Sequence, residues 1–179
     1  MKKIALLLSL LMFPIMGFSQ KLTFGSFEDV FAQDTLNVRV DFYEAKIDGI
    51  KESSLLNIGG ERADDWKRDK DDICSKFILA LHYKIDEEME VGRYDTAKYT
   101  LVFIPRTFDD DGEVRGYASI INQDGDIIAT IDKINGDGGR FGSFTNLCED
   151  AMERAGESVG RYLQREYRKL RREQRRVGK

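Results

Sequence analysis

The chain has few of the residues that metal and catalytic sites need. His82 is the only histidine, so no histidine pair can bind a metal. The two cysteines, Cys74 and Cys148, are too far apart for a C-x-x-C pattern, and the chain has no G-x-S-x-G nucleophile elbow. His82 lies about 12 Å along the predicted helix from Cys74, which excludes a dyad within that helix. We therefore expect no catalytic residue, no metal and no cofactor.

Prolines and long apolar runs are also scarce. The chain has two prolines, which argues against linkers. Beyond residue 16 no segment approaches the ~20 apolar residues of a membrane-spanning helix. No repeat of about 20–50 residues is visible. The sequence predicts one domain that is not integral to a membrane.

The first twenty residues have the order of a secretory signal peptide. Lys2 and Lys3 precede an apolar run over residues 4–16, and residues 17–20 return to small and polar types. A buried N-terminal helix is the alternative. No cysteine stands at the expected cleavage point, so lipidation is not expected. This pattern predicts an exported protein, periplasmic or secreted.

The oxidation state of Cys74 and Cys148 stays open. An oxidising compartment allows a disulfide between them, but free cysteine also packs as a small buried hydrophobe. A bridge needs the two Cα atoms to lie about 4.4–6.8 Å apart, which spacing alone cannot establish.

Hydrophobic periodicity predicts the element order β-α-β-β-β-α. Alternating or β-rich stretches indicate strands, and stripes at helical spacing indicate helices. Segment 21–34 is irregular or a short strand, 53–60 is a loop, and Pro105 ends the second strand. We expect an α+β domain over 21–160, with a mixed sheet of four or more strands, a parallel first pair and helices on one face. The strands are 36–42, 99–104, 114–121 and 127–134, and the helices are 61–86 and 143–176.

A glycine-rich segment, 136–142, leads into the last helix. Its amides could bind an anion with Arg140 and Ser143, although the Walker lysine is absent. The favoured alternative is a flexible connection with Ser143 as the helix cap, or with Asn146 opening a capping box. The aspartates at 109–111 do not complete a calcium loop, because Thr107 occupies the first ligand position.

The C-terminal segment 161–179 is strongly basic. With Lys2 and Lys3 removed, the chain has 26 basic and 32 acidic residues, and this segment holds nine of the basic and two of the acidic ones. An anionic glycan, lipid surface or acidic envelope protein could bind there, whereas nucleic acid is disfavoured by the compartment. A solvated helix end that complements the helix dipole is the alternative. The candidate contacts are Arg161, Arg165, Arg168 and Arg172.

The segment from Gly116 to Leu163, GYASIINQDGDIIATIDKINGDGGRFGSFTNLCEDAMERAGESVGRYL, resembles small exported envelope proteins. The shared motifs are the x-D-G-D-I-I-A hairpin and the G-G-x-F-G segment before a terminal helix. The layout is distantly similar to the periplasmic domain of the curli secretion channel and to the lipoprotein activators of penicillin-binding proteins. The resemblance implies a mixed sheet with helices and a non-enzymatic envelope role. This chain lacks the lipid-bearing cysteine of those lipoproteins.

Three functions are compatible with these features. The first is an accessory protein that binds a protein or an anionic polymer of the envelope. The second is a structural subunit that self-associates through Leu163, Tyr167 and Leu170, and the third is a hydrolase that uses carboxylates such as Asp41 or Asp132.

Overall fold

The computed structural model describes residues 20–177. Residues 1–19, which hold nearly all of the predicted signal peptide, and the last two residues lie outside that range. Three helices and eight strands are described. The strands are β1 Lys21–Gly25, β2 Thr35–Val40, β3 Lys46–Ile47, β4 Ile50–Lys51, β5 Glu90–Gly92, β6 Tyr99–Phe108, β7 Val114–Asn122 and β8 Ile127–Gly136, and the helices are α1 Glu52–Ile58, α2 Glu61–Ile85 and α3 Phe144–Val177.

The strands form one mixed sheet with the order β1-β8-β7-β6-β2-β5. β2 pairs in parallel with both β6 and β5; β6, β7 and β8 form an antiparallel meander, and β1 pairs antiparallel with β8. The parallel pair β2–β6 with α2 between its strands is the predicted crossover. The short hairpin of β3 and β4 adds to the end of β6. The α+β class, the mixed sheet and the helices on one face are confirmed.

The hydrophobic core lies between the sheet and the helix pair α2–α3. Phe77 of α2 stacks on Phe103 of β6 with ring centroids 4.5 Å apart. Trp66 of α2 makes edge contacts with Phe42 and Phe108 at 5.5 Å and 5.3 Å. These rings are buried, so they anchor α2 along the centre of the sheet. Within residues 20–177, no helix is long and apolar enough to cross a membrane.

Two local predictions are wrong. The segment predicted as a loop contains helix α1, because Leu55 turns inward and is buried while Gly59, at φ 74°, ends the helix. Pro105 does not end its strand. It lies at a register shift between β6 and β7, where a ladder N–H is dispensable, and the strand continues to Phe108.

The small residues of α3 face two different partners, the sheet and helix α2. A Cβ on Gly136 of β8 would lie 1.9 Å from the carbonyl oxygen of Ala151, so this part of α3 does contact the sheet. A Cβ on Gly156, in contrast, would lie 2.3 Å from the carbonyl oxygen of Phe77, so Gly156 is where α3 crosses α2.

Candidate functional site

Helix α3 carries the basic segment away from the body of the protein. The N–H of Asn146 donates to Ser143 Oγ over 3.3 Å, and the N–H of Ser143 donates to Asn146 Oδ1 over 3.3 Å, so Ser143 is the N-cap. The helix has 34 residues and is therefore about 50 Å long. Leu163 is fully buried, but every residue from 171 to 176 is exposed. The last turns of α3 therefore project into solvent.

The first basic residues of this segment are neutralised within the chain. Arg161 Nη1 lies 2.9 Å from Glu157 Oε2, one helical turn earlier. Arg165 lies 3.7 Å from Glu166 and above the Tyr162 ring. Such exposed pairs stabilise a helix only slightly, but they leave little net charge to offer a ligand.

Arg168 ties α3 to the turn between α2 and β5. Its Nε donates to Glu88 Oε1 over 2.9 Å, and Gln164 Nε2 donates to Glu88 Oε2 over 3.4 Å. The Glu88 side chain is 8% exposed, so these two side chains supply hydrogen bonds that water cannot readily supply. Arg168 therefore has a structural role that its place in a basic run did not indicate.

The unneutralised cations lie further along, in what we call the basic end: Arg171, Arg172, Arg175 and Arg176. Arg171 lies 5.9 Å from the centre of the Tyr167 ring. Within residues 20–177, the other three form no ion pair and no ring contact. Of the four arginines of segment 161–179 that were predicted as contacts, only Arg172 belongs to this group.

The glycine-rich segment is closely packed and next to acids. A Cβ on Gly138 would lie 1.9 Å from the carbonyl oxygen of Asp111. The segment therefore packs so tightly against Asp111 that a side chain at this position would clash. The Ser143 hydroxyl is hydrogen-bonded to Asn146 and lies 3.0 Å from the Thr145 hydroxyl. Thr145 donates to Asp69 Oδ2 over 2.7 Å.

That arrangement makes the N-terminus of α3 a poor anion site. The neighbouring guanidinium of Arg68 and the Thr145 hydroxyl lower the pKa of Asp69, so its carboxylate is charged at neutral pH. Arg140 is exposed and forms no ion pair within the described part of the chain. The structure thus gives Ser143 a capping role, while Arg140 is left without a partner to orient it.

Both cysteines are free thiols in the structure, so the bridge considered above is not formed. Cys148 is buried, and Cys74 is half-buried. Burial raises the pKa of Cys74 to about 11 and that of Cys148 to about 12. Each thiol is therefore neutral at physiological pH and behaves as a core residue.

We expect Ellman's reagent at pH 8 to modify both thiols quickly in urea and to modify neither quickly in the native protein. The physical reason is that the thiolate is the reactive species, and burial suppresses it. Absorbance at the reagent's product band counts the thiols. A count of zero in urea, in protein never exposed to reductant, would mean that a disulfide joins them.

The carboxylates named for hydrolysis lie far apart. Asp41 Oδ1 accepts the N–H of Tyr43 over 3.1 Å, and Asp132 Oδ1 accepts the N–H of Lys133 over 2.9 Å. Three strand spacings separate β2 from β8 in the sheet, which is about 14 Å. The two acids of a glycosidase lie at most about 9.5 Å apart. This pair cannot act on one glycosidic bond.

His82 is half-buried on α2. Its Nδ1 is buried without a hydrogen-bond partner among the described residues. It lines a groove beside the edge strand β5, together with Leu79 and Tyr94. Within residues 20–177, no three His, Cys, Asp or Glu side chains are grouped to bind a metal.

Sequence reasoning missed a second group of side chains, on the sheet face opposite the helices. We call it the tyrosine cluster: Tyr43, Glu44, Arg106 and Tyr117. Glu44 Oε1 accepts the phenol of Tyr43 over 2.5 Å and that of Tyr117 over 3.3 Å. Arg106 Nε lies 3.5 Å from Glu44 Oε2, and its guanidinium lies 4.6 Å from the Tyr117 ring centre.

The strand register explains where this cluster lies. Phe103 and Ala118 are paired and face the helices, so Tyr117, the next residue, faces the opposite side with its partner Ile104. The hydrogen bond from Tyr43 is the main cause that lowers the pKa of Glu44, and the same bond raises the pKa of Tyr43. The carboxylate is therefore charged and the phenol is protonated. Alternation of residues within each strand could have indicated which side chains face away from the helices. It could not have indicated that these side chains meet, because that depends on the register between the strands.

Comparisons with known proteins give a weak structural likeness. No family model and no curated protein matches this chain. One solved dodecamer of PelC from Paraburkholderia phytofirmans, a single-residue variant, aligns at 13% identity over 79% of this chain and 98% of its own, with a TM-score of 0.41. Another PelC dodecamer from that organism aligns at 11% identity over 78% and 97%, with a TM-score of 0.38. Neither likeness is strong enough to assign a function.

Proposed function

We propose that this protein is an exported, non-enzymatic binding protein of the cell envelope, and that the basic end of α3 contacts an anionic lipid or glycolipid head-group surface. The observation that carries the proposal is the lack of acidic partners for Arg172, Arg175 and Arg176 within residues 20–177. The basic residues before them are largely paired with acids. Unpaired, exposed guanidinium groups are available to phosphate or carboxylate oxygens.

The charge layout supports an oriented contact. Residues 21–160 contain 17 basic and 30 acidic residues, a net charge of −13, whereas 161–179 carries +7. An anionic surface would repel the body and attract the helix end, so the protein would approach along α3. Cations in the last turn also complement the helix dipole, but that effect does not require three of them.

The export and the binding role in this proposal rest on the sequence. The signal-peptide pattern at residues 1–20 supports export. The resemblance to exported envelope proteins supports a binding role there.

Self-association through Leu163, Tyr167 and Leu170 is less well supported. Leu163 is fully buried, the Tyr167 ring packs edge-on against Phe31 at 5.3 Å, and Leu170 lines a cleft with the same phenylalanine. Leu163 and Tyr167 are already packed within one chain, so a contact between copies would rely on Leu170 or on other residues.

Replacing Arg172, Arg175 and Arg176 with glutamine is expected to weaken binding to anionic vesicles about 100-fold. Each cation near an anionic surface contributes about 1 kcal/mol, and three together correspond to that ratio. The measurement is co-sedimentation of the mature chain with phosphatidylglycerol vesicles at low salt. Phosphatidylcholine vesicles and added salt should both reduce binding.

The matched control changes Lys46, Lys51 and Lys67 to glutamine. These lysines are exposed and form no ion pair within residues 20–177. Replacing them removes the same amount of positive charge as the arginine variant, but from the body of the protein. Binding close to that of the natural chain is expected. If both variants lost the same affinity for vesicles, net charge alone would explain the effect. If the arginine variant still bound tightly, the basic end would not be the binding site. Binding to soluble alginate with none to vesicles would point to an acidic glycan as the partner instead of the lipid surface.

A further inference from the structure

We infer that the tyrosine cluster is a binding site for a neutral saccharide chain. It lies on the sheet face that no helix within residues 20–177 covers. Tyr43 is 66% exposed, yet its hydroxyl is fixed by Glu44 and lies 3.2 Å from the Tyr117 hydroxyl. An exposed aromatic ring held at its polar tip presents a fixed apolar face to a ligand.

The cluster is organised before any ligand arrives. Glu44 is hydrogen-bonded to both phenols and paired with Arg106, so its side chain is held in place. Phe42, directly before Tyr43, is buried against Trp66, which anchors this part of the backbone. A rigid site loses little conformational entropy on binding, and this favours weak polar ligands such as sugars.

A trough extends the site across the sheet. It has a volume of about 620 Å³ and shares Arg106 with the tyrosine cluster. Asn135 and Asp132 of β8 line its far side, and Arg115 of β7, paired with Glu113 at 2.9 Å, lines its wall. The cluster and the trough together form an elongated surface that suits several linked sugar rings.

The chemistry of this surface favours a saccharide over an apolar partner. Almost all of its side chains are hydrogen-bonding groups. An apolar partner would desolvate these polar and charged groups without replacing their hydrogen bonds, which is unfavourable. A sugar ring offers C–H groups to the Tyr43 ring and hydroxyls to carboxylate, amide and guanidinium groups.

The charges of this surface argue against an anionic ligand. Two of its cations, Arg106 and Arg115, already have acidic partners. Lys133 is the remaining cation among the residues that line the trough, and Asp132 and Asp137, which form no ion pair within residues 20–177, outnumber it. The trough lining, as described over residues 20–177, therefore offers a strongly anionic polymer no cluster of unpaired cations.

This site is separate from the basic end of α3. Arg106 lies near the end of β6, where the paired start of β7 meets the end of β8 and the chain enters α3. The far half of α3 instead contacts Glu88, just before β5, which pairs with the start of β2. The two sites therefore lie toward opposite ends of the sheet, and each can be disabled without the other.

The test uses the mature full chain with two neutral probes, cellohexaose and chitohexaose, in isothermal titration calorimetry. We expect at least one probe to bind and Tyr43→Ala to weaken it about tenfold, the loss of one stacked ring. Glu44→Gln should weaken it by a similar factor while keeping the side-chain shape. The matched control is Tyr83→Ala, which removes a tyrosine that is 70% exposed on the helix layer, and it should bind like the natural chain.

Three results would overturn the inference. Neither probe binds, or Tyr43→Ala binds as tightly as the natural chain, or Tyr43→Ala and Tyr83→Ala lose affinity equally. If light scattering shows instead that Tyr43→Ala dissociates an oligomer without changing sugar affinity, the face is an interface between copies. Vesicle binding of Tyr43→Ala should be unchanged, which keeps this inference distinct from the role of the basic end.

Discussion

Replacing Trp66 with alanine is expected to lower the free energy of unfolding by about 3–5 kcal/mol. The indole is fully buried between Phe42 and Phe108, at ring distances of 5.5 Å and 5.3 Å. Its Nε1 donates to Glu52 Oε1 over 3.1 Å, at the first residue of α1. The substitution therefore opens a cavity and removes the donor from a carboxylate that is then left with Lys70 alone.

The same substitution should also weaken saccharide binding, because Phe42 would lose the ring that holds the backbone of Tyr43 and Glu44. Urea unfolding followed by far-UV circular dichroism is the measurement, since Trp66 is the only tryptophan and its fluorescence is lost. Trp66→Phe should cost less than Trp66→Ala, and Tyr83→Ala should change stability by less than about 0.5 kcal/mol. A loss below about 1 kcal/mol for Trp66→Ala would contradict this account of the core.

Much of the fold could be predicted because its main elements are long and regular. β7 and β8 alternate apolar and polar residues, and α2 and α3 keep apolar stripes over many turns. β5 has three residues and α1 has seven, which is too short for any period to be established. These elements form because they pair with β2 or bury Leu55, and both causes are long-range contacts.

The candidate sites were harder to predict. The number of charged residues can be read from the sequence, but the ion-pair and hydrogen-bond partners of each residue cannot. Arg168 and Arg172 have the same charge and lie on the same helix, yet Arg168 is held by Glu88, a residue 80 positions away. Tyr43 and Tyr117 are 74 positions apart. Their contact depends on the register of β6 with β7 and on the path of the chain after β2. Local periodicity in the sequence predicts neither this register nor this path.

Gly156 is a point of close contact between α2 and α3. A Cβ there would lie 2.3 Å from the Phe77 carbonyl oxygen and 3.1 Å from its Cα. Backbone atoms cannot move aside as a flexible side chain could. One turn later, a Cβ on Gly160 would lie 2.6 Å from Lys84 Cβ and 2.9 Å from the Leu81 carbonyl oxygen. The two glycines allow the two helices to pack closely against each other.

Gly156→Leu is therefore expected to lower the free energy of unfolding by about 3 kcal/mol, the upper end for overpacking. Gly156→Ala should lose less, since alanine is smaller and recovers up to about 1 kcal/mol of helix propensity. The matched control is Glu153→Leu, at an exposed position on the same helix, which should change stability by less than about 0.5 kcal/mol. Urea unfolding followed by Trp66 fluorescence gives all three values. If Gly156→Leu proved as stable as Glu153→Leu, α2 and α3 would not pack at this distance, and the direction in which α3 carries its basic end would lose its physical basis.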